Sequence, residues 1–222
     1  MMIRYFRQSL LLILLFALAG MSSLDIFAQA SNPLLKKLQT KRADSKQLGE
    51  ALFAGEERAL ICGYCHGNDG NSVKPEVPNL AGQNADYLLV QIGHFASGER
   101  KDFVMNSLAS KFSDDDQVNL TLYYSAQKVR PSKVDKTQAV QGGAVYKKQC
   151  QACHGDKGLG KPGFARLAGQ KPVYLMNTLQ RFRDNATGQV KSDKRRSAVM
   201  EPIARTLTDQ DIQALAAYIA TM

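Results

Sequence analysis

Two segments decide how this chain folds: Cys62-Gly63-Tyr64-Cys65-His66 and Cys150-Gln151-Ala152-Cys153-His154. Between them they hold all four cysteines and two of the three histidines among 222 residues. The chemistry open to these thiols depends on where the chain goes, and the N-terminus speaks to that. Arg4 and Arg7 precede an apolar run from Leu10 to Ala19 and then Ala28-Gln29-Ala30, the pattern of a secretory signal peptide occupying 1–30 and cleaved after Ala30. In an exported chain an even set of cysteines usually forms disulfides. A four-cysteine zinc site is the other conventional use, but the pairs here lie 84 residues apart, against about 15–20 in a compact site. Neither use explains a histidine at the same place twice.

Cys-x-x-Cys-His is the attachment signal for c-type haem, and the spacing has a mechanical reason. Two thiols bond the two vinyl groups of one porphyrin, and the tight turn sets the next side chain under the iron. Two such motifs, using every cysteine, predict two covalently bound haem c groups, held by Cys62 and Cys65 and by Cys150 and Cys153, with His66 and His154 as the proximal iron ligands.

The surroundings of the motifs repeat as well. An offset of 88 aligns Gly55, Cys62, Cys65, His66, Gly67 and Gly70 with Gly143, Cys150, Cys153, His154, Gly155 and Gly158. At 87, Leu80-Ala81-Gly82-Gln83 meets Leu167-Ala168-Gly169-Gln170, and Tyr87, Leu88, Ile92 and Phe95 meet Tyr174, Leu175, Leu179 and Phe182. The spacing of 88, 92, 95 and 175, 179, 182 is that of an amphipathic helix. An eight-residue insertion then moves the offset to 95, pairing Met105 with Met200 and Ser113 with Thr208. Each hydroxyl precedes acidic and then apolar positions, as in a capped helix with one buried face. The expected architecture is all-α, two small helical bundles over 46–128 and 139–222, joined by a polar linker at 129–138 containing Pro131 and preceded by an extension at 31–45.

A second axial ligand decides whether a haem transfers electrons or opens to substrate. With three histidines, two already used, two bis-histidine haems are impossible from this chain alone. Met105 is the one methionine between His66 and the linker. In the second copy Met176 falls inside the amphipathic helix, opposite Leu89, and Met222 has no counterpart, so Met200 alone keeps the repeat. His94 aligns with Arg181 and acquires no ligand role from the repeat.

In this order of motifs the sequence closely resembles the dihaem cytochrome c4 family over roughly residues 46–222. The resemblance implies two class I cytochrome c domains packed with their haem edges near a shared interface. It further implies transport of electrons in the bacterial periplasm from the quinol-oxidising respiratory complex to a terminal oxidase, with peripheral membrane contact in some members. In the family fold the proximal imidazole donates its second N–H to the carbonyl of a proline; Pro78 stands at that place, and Ala165 stands there in the second copy. Without the proline ring the second loop is expected to be less rigid, and the second imidazole less firmly held.

The net charge of +9 is unevenly spread. Residues 31–134 carry 13 basic and 12 acidic side chains, while 135–222 carry 14 and 7. No basic stretch is interleaved with aromatic residues, which argues against nucleic acid as a partner. The excess gathers between Arg181 and Arg196, notably Lys191, Lys194, Arg195 and Arg196, and has two readings: a solvated loop that offsets haem propionates, or a patch that steers an acidic redox partner or an anionic membrane surface. An electron carrier without enzymatic activity fits these features best. A dihaem peroxidase would need a vacant iron position, whereas a cytochrome subunit of a periplasmic dehydrogenase, such as a flavocytochrome sulfide dehydrogenase, stays open as an alternative.

Overall fold

The computed structural model describes residues 32–130, 139–189 and 195–222. The signal peptide read at 1–30 and most of the linker lie outside these residues, and no described helix is long and apolar enough to cross a membrane. Eleven helices make two all-α units around the two Cys-x-x-Cys-His segments, with one isolated bridge, Lys161 to Phe164, and no strand among the described residues.

In the first unit α1 (Pro33–Ala43), α2 (Ser45–Ala59), α4 (Ala85–Ser97), α5 (Phe103–Ala109) and α6 (Asp114–Ala126) surround the short turn α3 (Gly63–His66). The second unit repeats the plan without a counterpart of α1: α7 (Ala139–Gln149), α8 (Gln151–His154), α9 (Pro172–Thr187), α10 (Met200–Ala204) and α11 (Asp209–Ala220). Capping boxes start the two closing helices, Ser113 with Asp116 and Thr208 with Asp211, so the hydroxyl-then-acid pattern becomes reciprocal side-chain to backbone bonds. The amphipathic helices bury Leu88 and Phe95 in α4 and Leu175 and Phe182 in α9.

Residues 31–45, expected to be an extension outside the repeat, contain α1, which is part of the first core. Its Leu35 and Leu38 are buried with Ala51, Ala85, Leu89, Val118 and Leu122. Lys37 and Lys41 each reach Asp115 at 2.8 Å and tie α1 to the start of α6.

The helix crossing next to each haem motif corrects the sequence alignment by one residue. At Gly55 a Cβ would meet the Asn119 carbonyl and lie 2.7 Å from Tyr123 Cβ; at Gly142 it would meet the Ala214 carbonyl and lie 2.7 Å from Tyr218 Cβ. Gly142, rather than Gly143, is therefore the structural equivalent of Gly55. The shift arises because α7 runs straight into the second motif at Cys150, whereas Leu60 and Ile61 separate α2 from Cys62.

Two stability measurements on the holoprotein check this packing. Gly142→Ala drives a methyl into backbone and should cost about 1–3 kcal/mol or more in chemical denaturation. Gly143→Ala meets only the Tyr218 ring, from 3.1 Å, and should come out near neutral because alanine gains ~1 kcal/mol of helix propensity. Hydrogen bonds from Lys37 and then Lys41 hold the Asp115 carboxyl below its usual range. Its contribution is full above the unfolded carboxylate value of about 3.9 and is lost as pH falls through the lower folded value. Asp115→Asn should remove that acid-side dependence, at a cost below about 1 kcal/mol because the pair is exposed.

Candidate haem sites and the interface between them

Each haem motif is a single helical turn closed by a glycine with positive φ, Gly67 at 78° and Gly155 at 80°. The turn carries its histidine inward, and His66 and His154 are only 7% and 8% exposed. Both imidazoles are anchored at the same atom: His66 Nδ1 lies 2.9 Å from the Pro78 carbonyl and His154 Nδ1 lies 2.8 Å from the Ala165 carbonyl. A carbonyl can only accept, so Nδ1 carries the proton and Nε2 is left with its lone pair. Burial also pushes both imidazoles below their ordinary pKa, which favours this neutral form.

The geometry at Ala165 matches that at Pro78, the two distances agreeing within 0.1 Å. The reason is that the loops are held from elsewhere. Within each unit the glycine three residues beyond the motif's closing glycine offers its carbonyl to the Leu-Ala-Gly-Gln segment: Gly70 O accepts from Leu80 at 2.7 Å, and Gly158 O accepts from Leu167 at 2.7 Å. Each segment is pinned again to the closing helix, Gly82 N–H to Tyr124 O and Gly169 N–H to Ile219 O.

Across the interface the two segments interlock. Gln170 Oε1 accepts from Asn79 N–H at 2.7 Å while its Nε2 donates to Asn79 O at 3.0 Å. Gln83 Oε1 accepts from Arg166 N–H at 2.5 Å while its Nε2 donates to Arg166 O at 2.8 Å. The contacts are equivalent under the 87-residue offset, so the interface has approximate two-fold symmetry. Asn84 Nδ2 adds bonds to the carbonyls of Phe164 and Leu159, at 2.6 and 3.1 Å.

A second paired cluster adjoins the first. Arg195 donates to Tyr174 OH at 2.8 Å and to Tyr87 OH at 2.5 Å, and Arg100 donates to Tyr174 OH at 3.3 Å and to Gln91 Oε1 at 2.7 Å. Arg100 and Arg195 stand five residues before Met105 and Met200, at the 95-residue offset. Sequence reasoning registered the tyrosines as helix positions and left the arginines unpaired; their shared distance from the methionines was the available signal. Among the described residues neither guanidinium has a carboxylate partner. Burial opposes ionisation of the Tyr174 hydroxyl, yet Arg195 and Arg100 outweigh it and hold that group below its ordinary pKa. A half-buried site this short of negative charge suits haem, whose carboxylates would supply it. The rest of the donor set fits as well: four free, partly buried cysteines and two imidazoles with Nε2 available.

Met105 lies near the start of α5, where the Asp102 carboxylate accepts its N–H at 3.0 Å. Met200 opens α10 and donates its N–H to Ser197 Oγ at 3.1 Å. Both are half-buried, and their short helices pack on α4 and α9 respectively. Met176 and Met222 instead pack against the Tyr146, Leu175 and Ile212 cluster, as core side chains. His94 is partly exposed and sits 3.5 Å from Glu99.

The basic segment before Met200 divides. Arg195 turns inward to the tyrosines, so it leaves the docking patch read from the sequence, while Arg196 stays exposed and pairs with Glu201 at 2.8 Å; Lys191 and Lys194 lie outside the described residues. Arg195→Leu should lower the unfolding free energy of the holoprotein by about 1–3 kcal/mol, because buried hydroxyls lose their donor. Arg196→Leu should change it by less than about 1 kcal/mol in the same denaturation experiment.

Comparison with known proteins agrees with this geometry. Residues 139–222 match the Cytochrome c family. Cytochrome c4 of Pseudomonas aeruginosa is 34% identical over 176 residues, covering 75% of this chain and 86% of that protein. The thiosulfate dehydrogenase electron acceptor of Stutzerimonas stutzeri is 30% identical over 202 residues, covering 85% of this chain and 91% of that protein. The crystal structure of reduced recombinant cytochrome c4 from Pseudomonas stutzeri superimposes with a TM-score of 0.69 at 32% identity, covering 76% of this chain and 97% of that one. With two Cys-x-x-Cys-His units and this similarity over most of its length, the chain belongs to the cytochrome c4 family of dihaem c-type electron carriers.

Proposed function

We propose that His66 with Met105, and His154 with Met200, would hold the two haem irons, and that the chain carries electrons in the periplasm from a quinol-oxidising complex to a terminal oxidase. The observation that carries this reading is the repeated, buried imidazole with Nδ1 committed to a backbone carbonyl, at 2.9 and 2.8 Å, and Nε2 left to bind. Iron held there would supply one-electron chemistry.

The protein's own residues do the rest. Pro78 and Ala165 fix the ring orientation and the tautomer through their carbonyls. Asp102 and Ser197 set the start of the methionine-bearing helices, and Asn106 Nδ2 closes the preceding loop on the carbonyls of Phe95 and Arg100, at 2.5 and 2.8 Å. A methionine ligand would raise the reduction potential relative to a second imidazole, which suits transfer to an oxidase. The interlocked loops hold the two sites in a constant relation, so an electron accepted at one can pass to the other without rearrangement of the chain.

A second reading concerns the donor alone. Similarity to the thiosulfate dehydrogenase electron acceptor favours a periplasmic dehydrogenase in place of the quinol-oxidising complex. Stopped-flow reduction by each candidate donor separates the two, since the physiological one should react at a salt-dependent rate far above the other.

The ligand pairs are tested by spectroscopy of purified holoprotein. A haem count of two is expected, with the weak ferric methionine-to-iron charge-transfer band present. Met105→Ala and Met200→Ala should each remove one of the two contributions to that band and lower the potential of one haem, while Met176→Leu and Met222→Leu leave the band intact. Loss of the band in either leucine variant would move the assignment.

A further inference from the structure

The peptide group between Pro78 and Asn79 is engaged at both ends. Its carbonyl accepts the His66 Nδ1–H at 2.9 Å, and its N–H donates to Gln170 Oε1, in the other unit, at 2.7 Å. The peptide group between Ala165 and Arg166 repeats this, with His154 Nδ1–H at 2.8 Å on one side and Gln83 Oε1 at 2.5 Å on the other. A single planar amide thus links each imidazole to a glutamine of the opposite unit.

The amide orientation is set by its neighbours. Gln83 Oε1 also accepts Asn84 N–H at 3.0 Å, and Gln170 Oε1 accepts Lys171 N–H at 2.9 Å, so the oxygen faces donors and the NH2 group faces the Arg166 or Asn79 carbonyl. Both glutamines are 6% exposed and Asn79 is 5% exposed, so water screens these bonds little. In such surroundings hydrogen bonds in series polarise one another. An acceptor on a peptide N–H makes the carbonyl of that peptide more electron-rich, a stronger carbonyl draws more on the imidazole N–H, and a more electron-rich imidazole stabilises ferric over ferrous iron.

We propose that Gln83 and Gln170 are positioning residues that act across the domain boundary, each lowering the reduction potential of the haem held in the other unit. The proposal rests on His66 and His154 being the proximal ligands. It goes beyond interface adhesion because it assigns each glutamine an effect on the far haem, and because that effect needs an acceptor oxygen rather than a side chain of the right volume. Gln170→Leu keeps most of the volume and removes the acceptor, whereas Gln170→Glu keeps an oxygen within reach of Asn79 N–H.

The test is a redox titration of the holoproteins followed by NMR, with the ring resonances of His66 and His154 assigning each potential to its haem. In the reduced, diamagnetic state the Nδ1 proton shift reports the strength of the imidazole hydrogen bond. Gln170→Leu should weaken that bond at His66 alone and raise the potential of that haem, changing its oxidised-to-reduced ratio at fixed ambient potential by roughly two- to tenfold. Gln83→Leu should do the same at His154 alone, and Gln170→Glu should leave the His66 haem at or below its unaltered potential. Shifts confined to the haem of the substituted unit, equal shifts at both haems, no shift, or a rise in Gln170→Glu matching that in Gln170→Leu would each overturn the proposal. If the unaltered holoprotein shows no iron-bound signature for the two histidine rings, the ligand assignment itself falls and the proposal with it, before any variant is compared.

Discussion

The structure depends on one requirement: a buried imidazole that keeps the lone pair on Nε2 must place its Nδ1–H on a fixed acceptor. A peptide carbonyl is a good acceptor, but it is fixed only as well as the loop that carries it. Here the loop is held on three sides, by the Gly70 or Gly158 carbonyl beneath it, by the end of the closing helix, and by a glutamine from the opposite unit. Positive φ at Gly70 and Gly158 is part of the same device, because it turns those carbonyls toward the Leu-Ala-Gly-Gln segment. The covalent motif, the loop and the interface therefore form one mechanical unit.

A loop lacking proline thus presents its carbonyl with the same geometry as one that has it. Proline restricts a chain by removing conformations before any contact is made. Hydrogen bonds at both ends of the Ala165–Arg166 peptide reach the same result through contact. The interface is accordingly polar at its centre, with buried Asn79, Gln83 and Gln170 where an apolar patch could have joined the units with less geometric demand. Buried amides cost free energy unless every donor and acceptor is matched, so the arrangement tolerates little sliding or rotation of one unit on the other.

Much of this was legible in the sequence, for identifiable reasons. Cys-x-x-Cys-His is a covalent constraint, and a covalent constraint writes its spacing directly into the chain. The capping boxes at Ser113 and Thr208 and the Leu88/Phe95 and Leu175/Phe182 faces were legible because they are local. Contacts between repeats left no such mark. Gln83 looks like any loop amide until the opposite unit is present, and Arg195 looks like a member of a basic surface run until Tyr87 and Tyr174 are seen beside it. Gly55 and Gly143 share a spacing to their motifs, but the helix crossing, which spacing does not report, selects Gly142. Likewise α1 lies outside the repeat, so periodicity could not reveal that Leu35 and Leu38 complete the first core.

Two copies of one unit joined in one chain face a choice that a symmetric pair of separate chains does not. The shared Leu-Ala-Gly-Gln segment lets the copies meet face to face with each contact satisfied twice, which is the economy of an isologous interface. Tethering makes the association intramolecular, so its strength no longer depends on protein concentration. Once that holds, the two sides are free to differ wherever the shared contacts do not forbid it. Pro78 stands against Ala165, Asn79 against Arg166, and α1 against no counterpart, while the glutamine clips and the tyrosine and arginine pairs remain. The retained set joins the two sites, and because the glutamines engage Asn79 and Arg166 through their backbone, those side chains are free to differ. That division keeps the relation between the two centres constant while leaving the surroundings of each free to change.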